Sequence, residues 1–259
     1  MPTQDEKGEL FLRLHAGPTF VIANAWDAGS AKMFSELGFP ALATSSYAAA
    51  GVLGRADGRI TREQSLAQAA AVIAGSDLPV SADLEHGFGE TPSDVMDTIR
   101  LASKVGLVGG SIEDATGNPE QPLFPFERAI DRVQAAAEAV RSLSVPFVLT
   151  ARCENFLRGN PDLDDTIRRL QAYERAGADV LFAPGLPDLA AVRAVCAAVR
   201  KPVNFMVALR GKSFSADELR EAGVRRISLA ASLYRTAMAA ARSAASEALQ
   251  QGTFGYLER

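Results

Sequence analysis

Eight times along its 259 residues the chain runs through a short apolar stretch, then a turn carrying Gly, Asp or Ser, then a segment of helical periodicity. The apolar stretches are TFVIA (19 to 23), PALAT (40 to 44), PVSAD (79 to 83), VGGSIE (108 to 113), PFVLTA (146 to 151), DVLFA (179 to 183), PVNFM (202 to 206) and RRISLA (225 to 230). Each is short and rich in Val, Ile, Leu, Phe or Ala, as strands buried on both faces of a parallel sheet must be. Segments such as PSDVMDTIRLASKVG and ERAIDRVQAAAEAVRS read as the intervening helices, with Ser93 and Ser215 as N-caps, the latter with Glu218 three residues on. Eight alternations without a break in composition predict an α/β fold, a (β/α)8 TIM-type barrel spanning 1 to 259 as one domain. An open doubly wound sheet is the alternative, and it would bind ligand at a topological switch point.

The ends of the chain extend this plan. A helix is expected from about Asp5 to His15, with Leu10, Leu12 and Leu14 available for packing and His15 at the surface or the helix end. At the other end ASLYRTAMAAARSAASEAL predicts a long, alanine-rich helix over about 231 to 250.

Composition then removes whole classes of partner. With 47% hydrophobic residues the chain can bury a large core, and a formal net charge of −4, with both signs interspersed, gives no basic face for nucleic acid or anionic membrane. The N-terminus is charged from Asp5 onward and lacks the apolar core of a signal peptide, and no apolar run approaches the ~20 residues of a membrane span. Cys153 and Cys196, the two cysteines, form no CxxC pair, so neither a disulfide framework nor a structural zinc site is expected. A cytoplasmic location follows as the expectation.

An eightfold barrel places its active site at the C-terminal ends of the strands. Reading off those ends gives Trp26 and Asp27, then Ser45, Ser46 and Tyr47, then Asp83, Glu85 and His86, then Glu113 and Asp114, then Arg152 and Glu154, and finally Asn204 as a further substrate-binding candidate. With Asp57 from the loop after the second strand, four carboxylates (Asp57, Asp83, Glu85 and Glu113) approach one rim. Unpaired carboxylates in a cleft repel, so a cation must neutralise them or some must stay protonated. Oxygen-only ligation selects Mg2+, or Mn2+, with Asp83 as a direct ligand and the others acting through water. The competing reading pairs Glu113 and Asp114 with basic side chains and leaves Glu85 in solvent. Arg152 would clamp a substrate carboxylate or phosphonate, and its structural alternative is a salt bridge to Glu154 or Glu113. Ser45 and Ser46, with backbone N–H groups running into Tyr47, would cradle a second anionic oxygen. His86 has no assigned role, and Cys153 is expected to be an apolar filler. No lysine sits at a strand end for Schiff-base chemistry, and neither a P-loop nor a GxGxxG is present.

The stretches VIANAWDAGSAKMFSELGF, ATSSYAAAGVLGRADG, SADLEHGFG, GGSIEDA, LTARCENF and RAGADVLFAPG, in this order and each at a strand end, resemble the isocitrate lyase and phosphoenolpyruvate mutase superfamily over about residues 17 to 240. The resemblance implies Mg2+-dependent handling of 2-keto acids. By position, Asp83 matches the direct metal ligand and Glu85, Glu113 and Asp57 the shell around it. Ser45, Ser46 and Tyr47 match the loop binding the substrate's carboxylate and keto oxygens, and Arg152 the carboxylate-binding arginine. The resemblance also implies a homo-oligomer, a dimer or tetramer in which the last helix is exchanged. The sequence departs from the family after Glu113: lyases carry a KKCGH-like motif there, whereas DATGNPEQPLFPFERA has no cysteine and no lysine. The expected activity is therefore on a small 2-keto or 2-hydroxy (di)carboxylic acid, through a metal-stabilised enolate, by carbon–carbon cleavage or decarboxylation of an oxaloacetate-like substrate. The alternatives are a phosphonopyruvate mutase or hydrolase, for which Asp57 is the nucleophile candidate, and a 2-keto acid binding barrel without catalysis.

Overall fold

A computed structural model describes residues 1 to 258. Eight parallel strands close into one barrel in sequence order: β1 (Phe20–Asn24), β2 (Leu42–Ala43), β3 (Val80–Asp83), β4 (Gly109–Glu113), β5 (Val148–Arg152), β6 (Val180–Phe182), β7 (Val203–Met206) and β8 (Arg226–Ser228). Closure is made by β8 on β1, with Phe20 opposite Arg226 and Ile22 opposite Ser228. All eight strands overlap the expected positions, β1 and β5 each running one residue past them at Asn24 and Arg152, and the open sheet is excluded.

Among the described residues ten α-helices accompany them: α1 (Gln4–Ala16), α2 (Ala28–Glu36), α3 (Ser46–Val52), α4 (Arg62–Ala74), α5 (Pro92–Lys104), α6 (Phe126–Arg141), α7 (Leu163–Ala176), α8 (Leu189–Ala198), α9 (Ala216–Glu221) and α10 (Ser232–Gln251). Ser215 caps α9 in a capping box with Glu218, as expected. For α5 the cap is Thr91, not Ser93. Proline fits the first helical turn because its missing N–H has no partner to lose there, so Pro92 moves the cap to the residue before it. The short α3, inside the stretch read as a loop, has no counterpart among the expected helices.

The floor of the barrel corrects the reading of α1. Leu10 and Leu12 are exposed, whereas Gly8, Phe11 and His15 are buried. At 100° per residue, Leu12 stands about 200° from Leu10 and Leu14, while Phe11 and His15, four apart, share one face, beside which Leu14 packs partly buried, as expected of it. That face plugs the barrel bottom. Phe11 enters a cluster with Phe20, Ile22, Val108, Val148 and Val180, and the His15 ring sits edge-on between Phe11 and Phe20. Two glycines permit the approach. A Cβ on Gly109 would lie 2.7 Å from the Phe11 ring, and one on Gly8 would lie 2.5 Å from the Pro146 carbonyl oxygen.

His15 is therefore a buried residue, only 6% exposed. Burial first, and then the Arg226 guanidinium, depress its pKa to about 3. The folded state thus binds fewer protons than the unfolded state between about pH 3 and pH 6.5. Stability is complete above pH 6.5 and falls as pH drops towards 3, by on the order of a few kcal/mol. His15→Gln should flatten this acid slope; urea midpoints measured from pH 7 to pH 4 check it, and an unchanged slope would refute the assignment.

Candidate active site

The stretch SADLEHGFG leaves β3 at Asp83 and turns sharply. Glu85 and Phe88 hold positive φ (50° and 56°), as does Gly87 (87°). Two non-glycine residues in the left-handed region cost energy and need outside support. Some comes from β4, where the Glu113 N–H donates to the Glu85 carbonyl at 2.9 Å. More comes from the Thr98 hydroxyl, which donates to the Gly87 carbonyl at 2.8 Å, and from Arg132 of α6, 1% exposed, which donates to the carbonyls of His86, Gly89 (2.9 Å) and Glu90 (2.6 Å). Nothing local in the sequence links Arg132 to this turn.

The turn presents Asp83 to the cavity inside the barrel mouth. Its Oδ2 accepts the Ser46 N–H at 3.1 Å, and its Oδ1 accepts the Glu85 N–H at 3.3 Å. A Ser46 N–H committed to Asp83 is not the substrate donor the sequence suggested. Ser45 is better placed for that work. It precedes α3, makes no capping bond with its side chain, and lines the cavity. The Tyr47 ring points elsewhere, towards Tyr234 and Arg235 in a groove beside α10. Asp57 lines that same outer groove. Burial, and then the nearby Asp83 charge, raise its pKa, against a hydrogen bond from Ser46.

Arg152, at the end of β5, gathers the acids. Its Nε donates to Glu154 at 2.5 Å, and one terminal nitrogen lies 3.3 Å from Glu113 and 3.8 Å from Asp83. The guanidinium also stands over the Phe182 ring at 5.2 Å. Burial by itself would lower its pKa, but Glu154, Glu113 and Asp83 together hold it above the ordinary value. Arg158 adds a second cation, 3.5 Å from Glu113 and 3.2 Å from Glu154. The salt-bridge reading of Arg152 and Glu113 thus describes this structure. Glu113 still has its pKa raised, chiefly by burial and further by Glu154 and Asp83, against Arg152 and Arg158.

Behind the rim, Asp114 is structural. Buried at 4% exposure, it accepts the Tyr173 hydroxyl at 2.6 Å, the Glu154 N–H at 2.7 Å and Arg169 at 3.2 Å. It holds Glu154, which in turn holds Arg152. Cys153 points the other way into the core, as expected, and burial pushes its thiol pKa up. His86 lines a separate groove with Arg62, Glu63 and Phe88, and burial, then Arg132, lower its pKa. Asn204 lines the central cavity but is bonded to Arg226 and Ser228.

The donor set for a cation can be judged from these contacts. Among the described residues no three His, Cys, Asp or Glu side chains converge as a cage. Asp83 instead offers a single carboxylate in the cavity, and Glu85 keeps a buried Oε1 without a hydrogen-bond partner. Burial, and then Asp83 and Asp57, push the Glu85 pKa up to about 8. A buried, orphaned carboxylate beside two others signals uncompensated negative charge. Oxygen donors with such a surplus fit a hard divalent cation held by Asp83 with Glu85 close by.

Residues 11–249 match the phosphoenolpyruvate phosphomutase family model. The chain belongs to this family, within the isocitrate lyase and phosphoenolpyruvate mutase superfamily. It is 31% identical over 242 residues to 2-methylisocitrate lyase of Escherichia coli K12, covering 90% of this chain and 80% of that one. An oxaloacetate decarboxylase of Rhodopseudomonas palustris is 30% identical over 211 residues, covering 78% of this chain and 71% of the relative. Among solved structures, a candidate lyase/mutase of Burkholderia cenocepacia J2315 superposes with a TM-score of 0.96 at 48% identity, covering 98% of this chain and 92% of that one. This protein is accordingly an enzyme-superfamily member of the lyase and mutase type.

The support behind the rim can be tested. Tyr173→Phe deletes the hydroxyl donated to Asp114 and should cost about 1–3 kcal/mol, because a buried carboxylate loses a charge-assisted bond. Denaturant unfolding checks this; a cost below about 0.5 kcal/mol would show that Asp114 does not depend on that bond.

Proposed function

We propose that this protein is a Mg2+-dependent enzyme that breaks a carbon–carbon bond in a small 2-keto or 2-hydroxy dicarboxylic acid, with decarboxylation of an oxaloacetate-like substrate as the reaction. One observation carries the choice. Asp83, Ser45 and Arg152, which match superfamily positions by resemblance, line one cavity, yet the β4–α6 loop has no cysteine and no lysine to act as acid on a large leaving fragment. Loss of carbon dioxide needs no such acid. The similarity to an oxaloacetate decarboxylase supports the same reading.

Asp83, with Glu85 and Glu113 in the surrounding shell, would hold the cation, with Mn2+ as a substitute. When bound, the ion supplies Lewis-acid polarisation of the substrate's keto oxygen. The chain's own groups do the rest. The free Ser45 hydroxyl donates to a substrate oxygen, and Arg152 offers its guanidinium to a carboxylate while Glu154 fixes its plane. Fixed donors aimed at oxygens that gain charge stabilise the transition state without reorganising. Glu85, whose pKa is raised first by burial and then by Asp83 and Asp57, would be favoured in its ionised form beside a bound cation. Asn204 and Ser228 carry the polar lining deeper into the cavity. Ser46 acts by holding Asp83, and Asp57 by its charge beside both.

Incubation with Mg2+ and oxaloacetate, phosphonopyruvate or 2-methylisocitrate, following pyruvate, decides among the reactions. Pyruvate should form from oxaloacetate above the metal-only background, and Asp83→Ala should abolish it. Turnover confined to phosphonopyruvate would sink the decarboxylase reading in favour of carbon–phosphorus chemistry. No turnover, with oxalate raising the melting temperature only when Mg2+ is present, would indicate a binding barrel.

We also infer a homo-oligomer built through α10. Of its 20 residues only Tyr234 is buried, and Met238, Leu249, Phe254 and Leu257 in and after it are exposed. Exposed apolar surface of that extent on a helix implies a covering partner. Light scattering behind size exclusion should give a dimer or tetramer at micromolar concentration; a monomer would contradict this.

A further inference from the structure

Arg226 opens β8 inside the barrel, at 6% exposure, with no carboxylate in salt-bridge range among the described residues. Its Nε donates to Asn204 Oδ1 at 2.8 Å, and one terminal nitrogen donates to Thr150 Oγ1 at 3.0 Å. The other lies 3.3 Å from His15 Nε2. Because His15 Nδ1 lies 2.8 Å from the Phe11 carbonyl oxygen, Nδ1 carries the proton and Nε2 is the acceptor. All three partners are therefore neutral. A guanidinium has five N–H groups, so two remain after these bonds.

A buried cation with only neutral partners is costly, and burial lowers the Arg226 pKa to about 9. Removing the charge altogether is not open to an arginine at neutral pH, so a counter-charge is the remaining route. Space for one exists. The cavity that Arg226 floors has a volume of about 60 Å³, well above what one water requires. Its walls include the hydroxyls of Ser81, Ser111 and Ser228, which can rotate to donate. Its acidic group, Asp83, belongs to the mouth, where Arg152 and backbone N–H groups already engage it. The floor is thus rich in donors and positive, below a mouth that is acidic.

We propose that the barrel floor binds a small anion on the Arg226 guanidinium, with serine hydroxyls completing its coordination. A single negative charge, as on a halide or a small carboxylate, balances the single cation. The site shares the cavity on which Ser45, Asp83 and Arg152 open and lies at its floor, and it explains a charged residue on an inward position of a buried strand.

Crystals of the wild-type protein soaked in bromide should show an anomalous peak within hydrogen-bonding distance of Arg226. In solution, replacing gluconate by chloride at constant ionic strength should raise the melting temperature saturably, by roughly 3–6 °C. Arg226→Met should lose both responses, and Arg226→Lys should keep a weaker one. A bromide peak displaced by oxalate would assign the natural ligand to carboxylates; one that oxalate leaves in place would assign it to inorganic anions. If wild-type crystals show neither bromide nor oxalate at Arg226 and the chloride titration is flat, the proposal is wrong, whether or not the variants fold.

Discussion

Closure of β8 onto β1 is the constraint from which the remaining geometry follows. A parallel sheet that closes in sequence order points every strand's C-terminal end at one rim, so residues far apart in the chain meet there. Asp83, Glu113 and Arg152 come from β3, β4 and β5, which pair directly, with Glu113 in register with Arg152. No local preference would bring these two acids and an arginine within a few ångströms. Hydrogen-bonded register does it, and the acids then need a cation.

The chain itself supplies the nearest cations, Arg152 and Arg158. Arg152 is part of the chain and neutralises Glu154 and Glu113 at short range, reaching Asp83 only at 3.8 Å. Glu85 is left with an orphaned oxygen and a raised pKa. The site is stable without an added ion because of the arginine, yet it retains a negative surplus that an ion would relieve. Stability and affinity are thereby set by separate groups. The arginine in turn is held from behind by Glu154, Asp114 and Tyr173, so a tyrosine on the outer helix layer governs the orientation of a guanidinium at the mouth.

The barrel interior shows the same division between ends. The mouth is acidic and hydrogen-bonded by backbone N–H groups, whereas the floor carries Arg226 and a neutral histidine beneath a cavity lined with hydroxyls. In a medium of low dielectric, opposite charges at the two ends polarise what lies between them. A plug formed by α1 seals the floor from water, which is why His15 is neutral and why Arg226 has no solvent to turn to.

Eight alternations of apolar run and helix made the parallel strands and the rim where they end legible by sequence alone, because strands buried on both faces announce themselves by composition, while the choice of a closed barrel over an open sheet came with the β8–β1 pairing. The same alternation located Ser45, Asp83, Glu113 and Arg152, each of which follows directly on an apolar run. What only the tertiary structure decided are the partners. Arg132 holds the SADLEHGFG turn from α6, Asp114 and Tyr173 brace Arg152 from behind, and the Tyr47 ring turns away towards α10. His15 stands at the end of α1, one of the two places expected of it, but is buried and not at the surface; a helix face is legible only when apolar residues repeat every three or four positions, and α1 places a glycine, a phenylalanine and a histidine there. The one sequence sign of Arg226 was a charge inside a strand that should be apolar; its meaning required knowing that β8 turns that residue inward, onto a floor with no acid to meet it.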